Sequence, residues 1–190
     1  IHGHWLESTG IAGTYDALDF HPDSFAVDIR GLVERGFQGV NVTVPHKEAA
    51  LALADTVDAT ACRIGASNTL VFTDGKIEAR NTDAYGFWEN LAPILSGRVP
   101  SRALVLGAGG AARAVLVALQ DAGVTDIVLA NRTVSRARAL ADELADTAQI
   151  EALSWDDAEA LMDRETLPLI VNTSSRGMKG ENPITCAMAA

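Results

Sequence analysis

The hydrophobic pattern switches repeatedly between a two-residue and a helical period, so the chain reads as strand and helix in alternation. No repeat and no low-complexity block interrupts it, apart from the small-residue tail after Pro183. The first half predicts a strand over 14–20, a helix over 24–35, a strand over 39–44, and helices over 46–54 and 56–64. A hairpin follows, with strands 68–73 and 76–81 around Asp74-Gly75, a two-residue turn signal. A helix over 82–95 carries Tyr85, Phe87, Trp88 and Leu91. The stretch Ser96-Gly-Arg-Val-Pro100 is the linker candidate.

The second half starts anew. It predicts a buried strand over 103–106, a helix over 110–122 ended by Gly123, and a strand over 126–130. A helix over 134–144, a short strand over 150–153, a helix over 155–162 and a strand over 169–172 complete it. Strands separated by helices of about 10–15 residues imply a parallel sheet. The fold class is α/β in two lobes with a cleft between them. An α/β domain over 1–95 is followed by the linker 96–100 and a Rossmann-type, doubly wound domain over 101–190, and the 82–95 helix bridges the two.

The 39–44 strand leads into the run Asn41-Val-Thr-Val-Pro-His-Lys47. Pro45 stops the strand, and its fixed φ suits the opening of a helix. Asn41 and Thr43 project from one face, and Val40, Val42 and Val44 from the other. An amide, a hydroxyl and an ammonium therefore converge at one strand end, the usual place for a ligand in an open α/β sheet.

The stretch Leu104-Val-Leu-Gly-Ala-Gly-Gly-Ala-Ala-Arg-Ala114 reads as strand, glycine turn and helix start. Gly107 allows the tight turn, and Gly109 lets the backbone approach a pyrophosphate. Ala112 stands where a small residue keeps helix and strand close. Backbone N–H groups from Gly107, Ala108, Gly109, Gly110 and Ala111, with the helix dipole, suit phosphates. The next strand ends at Ala130-Asn-Arg-Thr133, where an NAD-binding protein usually carries an acid for the ribose 2′-hydroxyl. Asn131, Arg132 and Thr133, with Arg136 and Arg138 a turn on, suit a 2′-phosphate instead, because a guanidinium pairs with it bidentately. The expected cofactor is NADP. A helix cap at Thr133 beside surface arginines explains Thr133 but not Arg132.

The 39–47 run resembles the substrate-site signature of the shikimate dehydrogenase family. Ile64-Gly-Ala-Ser-Asn-Thr69, Asn81-Thr-Asp-Ala-Tyr-Gly86 and Gly107-Ala-Gly-Gly-Ala-Ala112 match in the same order. The resemblance covers the chain from about residue 10 to residue 180 and implies hydride transfer between NADP and a small polyol acid. It makes Lys47 catalytic with Asp83 as its partner, and makes Thr43 and Asn68, helped by Asn41, ligands of substrate hydroxyls. Negative charge builds on a ketone oxygen that accepts hydride, and Lys47 supplies both a cation and a proton there. Asp83 beside it would hold the ammonium charged and oriented, and reads equally as a helix N-cap. His46, where the family often has Phe, reads as packing. Thr173 or Ser174, at the end of the last strand, stands where the nicotinamide should lie; a polar strand end is the common alternative.

Two parts of the family pattern are missing, which implies a chain truncated at both ends. A Ser-x-Ser pair that binds the substrate carboxylate normally precedes the segment beginning at Ile1, and a C-terminal third with a Gly-Met segment and a substrate-binding Gln normally follows. Ser67 replaces a residue that is usually apolar. Arg176-Gly-Met-Lys-Gly180 fits the family; 185–190 does not. The rival readings are a quinate/shikimate dehydrogenase, a non-catalytic NADP-binding relative, and a folate-linked dehydrogenase, which should lack Asn81-Thr-Asp83.

Bulk properties narrow the partners. The 190 residues fit one domain or two small ones, and 48% apolar content supports a real core. A net charge of −10 speaks against nucleic acid and anionic membranes. Yet residues 101–140 hold five arginines and two acids, a local +3 that suits a small anionic ligand. Cys62 sits in an apolar helical pattern and reads as a small core residue; with Cys186 it makes no metal or redox spacing. His2, His4 and His21 show no ligand spacing, so no metal is expected. No apolar run reaches about 18 residues, as a membrane span would need. A cytoplasmic enzyme, monomer or homodimer, is the expectation.

Overall fold

The computed structural model describes residues 1–145 and 148–177. Two four-stranded sheets organise them. The first lobe contains α1 (His2–Thr9), α2 (Phe25–Glu34), β1 (Gly39–Asn41), α3 (Lys47–Leu53), β2 (Thr56–Val57), α4 (Ala59–Ile64), β3 (Thr69–Thr73) and β4 (Lys76–Arg80). Its sheet runs β1-β3-β4-β2, antiparallel except where β2 lies parallel to β4. It is therefore mixed, with the predicted hairpin as its centre. The hairpin at Asp74-Gly75 has φ of 51° and 76°, the left-handed pair that a tight two-residue turn requires. Phe25, Ile29 and Leu32, one face of α2, bury against Leu70, Phe72 and Ile77.

The long helix α5 (Asp83–Ile94) leads to the second lobe: β5 (Ala103–Leu106), α6 (Gly110–Asp121), β6 (Asp126–Ala130), α7 (Val134–Glu143), β7 (Gln149–Leu153), α8 (Trp155–Arg164) and β8 (Ile170–Asn172). Its sheet is parallel throughout in the order β7-β6-β5-β8. The chain moves outward from β5 and then returns to its other side, so the order reverses between β5 and β8. Strand alternation sorts the two faces. Ala103, Val105, Ile127 and Leu129 pack with α6 and α7, while Leu104, Leu106, Val128 and Ala130 pack with Trp155, Ala158, Leu161 and Met162 of α8. Helices on both faces make this the doubly wound layer expected.

The lobes share apolar residues. Ile64, Ala66 and Ala84, with Phe87 and Trp88 of α5, join the cluster built by α6, β5 and β6. Arg63 of α4 pairs with Asp121 of α6 at the same seam.

Four expectations need correction. Residues 14–20 form no strand. Tyr15 and Leu18 are 47% and 45% exposed, and β1 is the sheet edge among the described residues, so no ladder receives this segment's backbone groups. The strand over 39–44 closes at Asn41: a turn in which the His46 N–H donates to Thr43 C=O takes over, and Val44 is exposed. The helix over 56–64 begins only at Ala59, because β-branched Thr56 and Val57 pair with β4 and Asp58 then caps the helix through the Ala61 N–H. Cys62 is exposed, on the outer side of α4. The helix α1 carried no expectation; none of its residues is buried. Cys186 and residues 178–190 lie outside the described residues. No helix among the described residues is long and apolar enough to cross a membrane.

Candidate active site

Lys47 is the first residue of α3, placed there by the turn at Thr43–His46. Asp83 is the first residue of α5; Thr82, not Asp83, takes the N-cap position. The two helix starts face each other, and Lys47 Nζ donates to Asp83 Oδ2 at 2.6 Å. The lysine side chain is 14% exposed, so this is a shielded pair at a mouth rather than a surface ion pair. Lys47 C=O also accepts the Ser67 N–H, which ties the start of α3 to the segment before β3. A carboxylate at the first turn of α5 gains from that helix's dipole as well.

The Asp83 backbone is held in turn. Asn81 is buried; its Oδ1 accepts the Asp83 N–H at 2.8 Å and its Nδ2 donates to Ala66 C=O at 2.8 Å. Asn68 Nδ2 donates to Asp83 Oδ1 at 2.8 Å and to Thr82 Oγ1 at 2.9 Å. Asn68 Oδ1 accepts from the Thr82 N–H and the Thr69 hydroxyl. All four hydrogen-bonding positions of that amide are taken. Asn41 Nδ2 donates to Thr69 Oγ1, and Asn41 Oδ1 accepts from Tyr15. Lys47, Asp83, Asn68 and Asn41 thus belong to one connected network. Thr43 is exposed on the turn beyond it and lines a cavity of about 490 Å³ with Asn41, Tyr15 and His46. His46 stacks on Phe25 with centroids 4.4 Å apart, and its Nε2 lies 3.0 Å from Phe20 C=O, the packing role expected of it.

The glycine turn lies at the point where the second sheet's order reverses. Gly107 has φ +111°, and a Cβ there would stand 2.8 Å from Thr173 Oγ1. Thr173 in turn donates to Leu106 C=O at 2.8 Å, so the ends of β5 and β8 are joined beneath the turn. Gly109 is the N-cap of α6 and no side chain caps that helix, which leaves its first N–H groups to a ligand. Ala112 is fully buried where helix meets strand. A Cβ on Gly110 would lie 3.4 Å from Cβ and Cδ of Lys47, so the turn faces the lysine stem and leaves it only the room of a glycine.

Of the five arginines in the basic stretch, two are structural. Arg102 meets Asp126, Glu151 and Glu165. Arg113 forms a two-point pair with Glu143, donates to Ile64 C=O at 3.3 Å and approaches Glu48 at 3.8 Å. The Glu143 partner holds the Arg113 guanidinium above its ordinary value, and Arg113 holds the Glu143 carboxyl below its own. Arg132, Arg136 and Arg138 are exposed at the β6–α7 junction. Asn131 Nδ2 donates to Thr133 C=O, and the Thr133 side chain makes no capping bond to α7. Ser174 and Asn172 bond each other at 2.7 Å at the end of β8. No three His, Cys, Asp or Glu among the described residues gather as metal ligands.

Sequence reasoning missed Tyr15, Thr69 and the buried role of Asn81. The signal for Asn81 was present, as an amide that follows the alternating strand Lys76–Arg80 on its apolar-to-polar boundary beside Thr82-Asp83. Thr69 read as an ordinary strand residue, and nothing local links Tyr15 to Asn41, 26 residues away. Arg113 read as part of a phosphate-seeking patch, whereas it joins both lobes.

Both halves of the chain resemble known proteins. Residues 1–70 match the Shikimate dehydrogenase substrate binding domain, and residues 91–179 match Shikimate / quinate 5-dehydrogenase. The shikimate dehydrogenase (NADP(+)) of Paramagnetospirillum magneticum is 48% identical over 193 residues, covering 100% of this chain and 68% of its own length. This chain belongs to the shikimate dehydrogenase family. The shikimate dehydrogenase (NADP(+)) of Methylobacterium radiotolerans is 50% identical, covering 97% of this chain; the chain spans 66% of that relative. The shikimate 5-dehydrogenase of Thermus thermophilus, solved with NADP(H) and shikimate, is 41% identical with a TM-score of 0.75, covering 93% of this chain and 62% of its own.

Proposed function

We propose that this chain carries the catalytic pair and cofactor turn of an NADP-dependent dehydrogenase that interconverts 3-dehydroshikimate and shikimate, on the route to aromatic amino acids. The observation that carries the reading is the 2.6 Å Lys47–Asp83 pair lying against the glycine turn at Gly110. Residues 1–95 form the substrate domain, 96–100 the linker, and the cofactor domain runs from 101.

The residues suit NADP. The uncapped start of α6, spanning Gly107, Ala108, Gly109, Gly110 and Ala111, receives the pyrophosphate. Arg132, with Asn131, Thr133 and Arg136, receives the 2′-phosphate at the end of β6, and Thr173 stands at the nicotinamide end. Bound NADP supplies the hydride acceptor. Lys47 keeps two N–H groups beyond the one spent on Asp83, and these meet the substrate oxygen on which charge develops. Asp83 keeps the ammonium in place, and the proton of the reacting hydroxyl passes through this pair. Asn41, Thr43 and Asn68 take the substrate hydroxyls. Because Asn68 is saturated, a substrate hydroxyl must displace one of its present partners, either the Thr82 hydroxyl from Nδ2 or the Thr69 hydroxyl from Oδ1. A cytoplasmic setting and a small-molecule partner alone go with this reading.

The test is reduction of NADP⁺ by the full-length protein with shikimate and quinate in parallel, repeated with NAD⁺. Turnover with shikimate and NADP⁺ alone is expected. Equal use of quinate or NAD⁺ would replace the reading with a broader-specificity dehydrogenase, and silence with all four pairs would leave a cofactor-binding relative.

A further inference from the structure

The hydrogen bonds around Asp83 run in one direction, and that direction can be deduced. The Thr82 backbone N–H can only donate, so the Asn68 atom facing it is Oδ1. The Asp83 carboxylate paired with Lys47 can only accept, so the Asn68 atom facing it is Nδ2. The amide is therefore fixed at both ends. Thr69 Oγ1 lies 3.0 Å from Asn68 Oδ1 and must spend its one proton there. It is then an acceptor toward Asn41, whose nearer atom at 3.3 Å must be Nδ2. That turns Asn41 Oδ1 outward, where it takes the Tyr15 hydroxyl at 2.8 Å. Protons point from Tyr15 through Asn41, Thr69 and Asn68 to Asp83, with Lys47 donating from the other side.

We propose that Thr69 is a positioning residue of the dehydrogenase: its hydroxyl couples the amide of Asn68, already fixed by Thr82 and Asp83, to that of Asn41, and so holds two substrate-facing side chains in register beside the Lys47–Asp83 pair. The inference rests on the reading of Lys47 and Asp83 as the catalytic pair. A hydroxyl is the smallest group that gives one proton to one amide oxygen and accepts one from another amide nitrogen. Valine, of the same shape, does neither. It leaves Asn68 Oδ1 with the Thr82 N–H alone and Asn41 Nδ2 without its Thr69 acceptor, so Asn41 is free to turn over and Asn68 is held by one bond fewer.

The experiment compares Thr69→Val and Thr69→Ser in the full-length protein. Thr69→Val is expected to lower kcat and raise KM for shikimate, cutting kcat/KM by about five- to tenfold, the scale of one neutral hydrogen bond. KM for NADP⁺ should stay within about twofold, and Thr69→Ser should recover the loss. A Thr69→Val enzyme with wild-type kcat/KM overturns the proposal, as does a Thr69→Ser enzyme equally impaired, which would make packing the cause. The Asn68 side-chain amide supplies a readout free of turnover. Its proton exchange, followed by NMR, should be slow in the unsubstituted protein and about tenfold faster in Thr69→Val. Unchanged exchange overturns the relay even in an active enzyme. An inactive parent protein with the expected change in exchange leaves the relay standing and retires only the dehydrogenase reading.

Discussion

Gly110 faces Lys47 across the two lobes: a Cβ on the glycine would lie 3.4 Å from two carbons of the lysine stem. The side chain assigned to the chemistry thus lies beside the turn assigned to the cofactor. Its ammonium is held by Asp83 and only 14% of the side chain is exposed, so the position of the charge is set before a substrate arrives.

Truncating it separates chemistry from binding. Lys47→Ala should lower shikimate oxidation by about a hundredfold or more, the scale of a lost general acid–base group. NADPH binding, titrated by the fluorescence of the reduced nicotinamide, should be almost unaffected, since the uncapped start of α6 remains. A retained rate would dismiss Lys47 from the chemistry.

Arg132 is a test of cofactor choice. Arg132→Ala should weaken NADPH by about 1.5–3 kcal/mol, the range for a hydrogen bond to a charged group, and leave NADH unchanged. Equal losses for both cofactors would mean that the arginine meets some part they share.

Gly107 is constrained twice, by a φ of +111° and by Thr173 Oγ1 at 2.8 Å from the position of any Cβ. Gly107→Ala should destabilise the fold by about 1–3 kcal/mol and lower the melting temperature. It should also weaken both cofactors alike, because the turn and not the 2′-phosphate site is displaced. A variant as stable as the parent would show that the β5–β8 junction tolerates the shift.

The Arg113–Glu143 pair carries a pH signature. Glu143 is held below its ordinary value of 4.5 by the guanidinium. Its contribution to stability is therefore complete above that value and disappears as pH falls through the lower folded value. Glu143 is about half exposed, so the contribution is under about 1 kcal/mol. Glu143→Gln should melt earlier than the parent at neutral pH, and the gap should close as pH falls below the carboxyl's ordinary value of 4.5. A gap independent of pH would point to packing, not charge.

The second lobe was legible because strand, glycine turn and helix are local events: β5, α6, β6 and α8 follow from runs of apolar residues and one sharp turn. The Lys47–Asp83 pairing was legible because a family pattern links the two across 36 residues, which no periodicity does. What stayed hidden depends on partners distant in sequence. An alternating segment such as 14–20 becomes a strand only where another strand receives it, and Thr56–Val57 looked helical until β4 lay beside it. Arg113 illustrates the same limit, since its charge was visible but Glu143, Glu48 and Ile64 C=O were not.

The apolar seam where Ile64, Ala66 and Ala84 enter the cluster of α6 and β5 sets how the protein comes apart. Two lobes joined only by a linker would melt in two steps, each at its own temperature. Here neither half can lose its packing without baring the other's, so heat should undo both together in a single cooperative transition. A nick in the 96–100 segment would then cut the chain without separating the pieces.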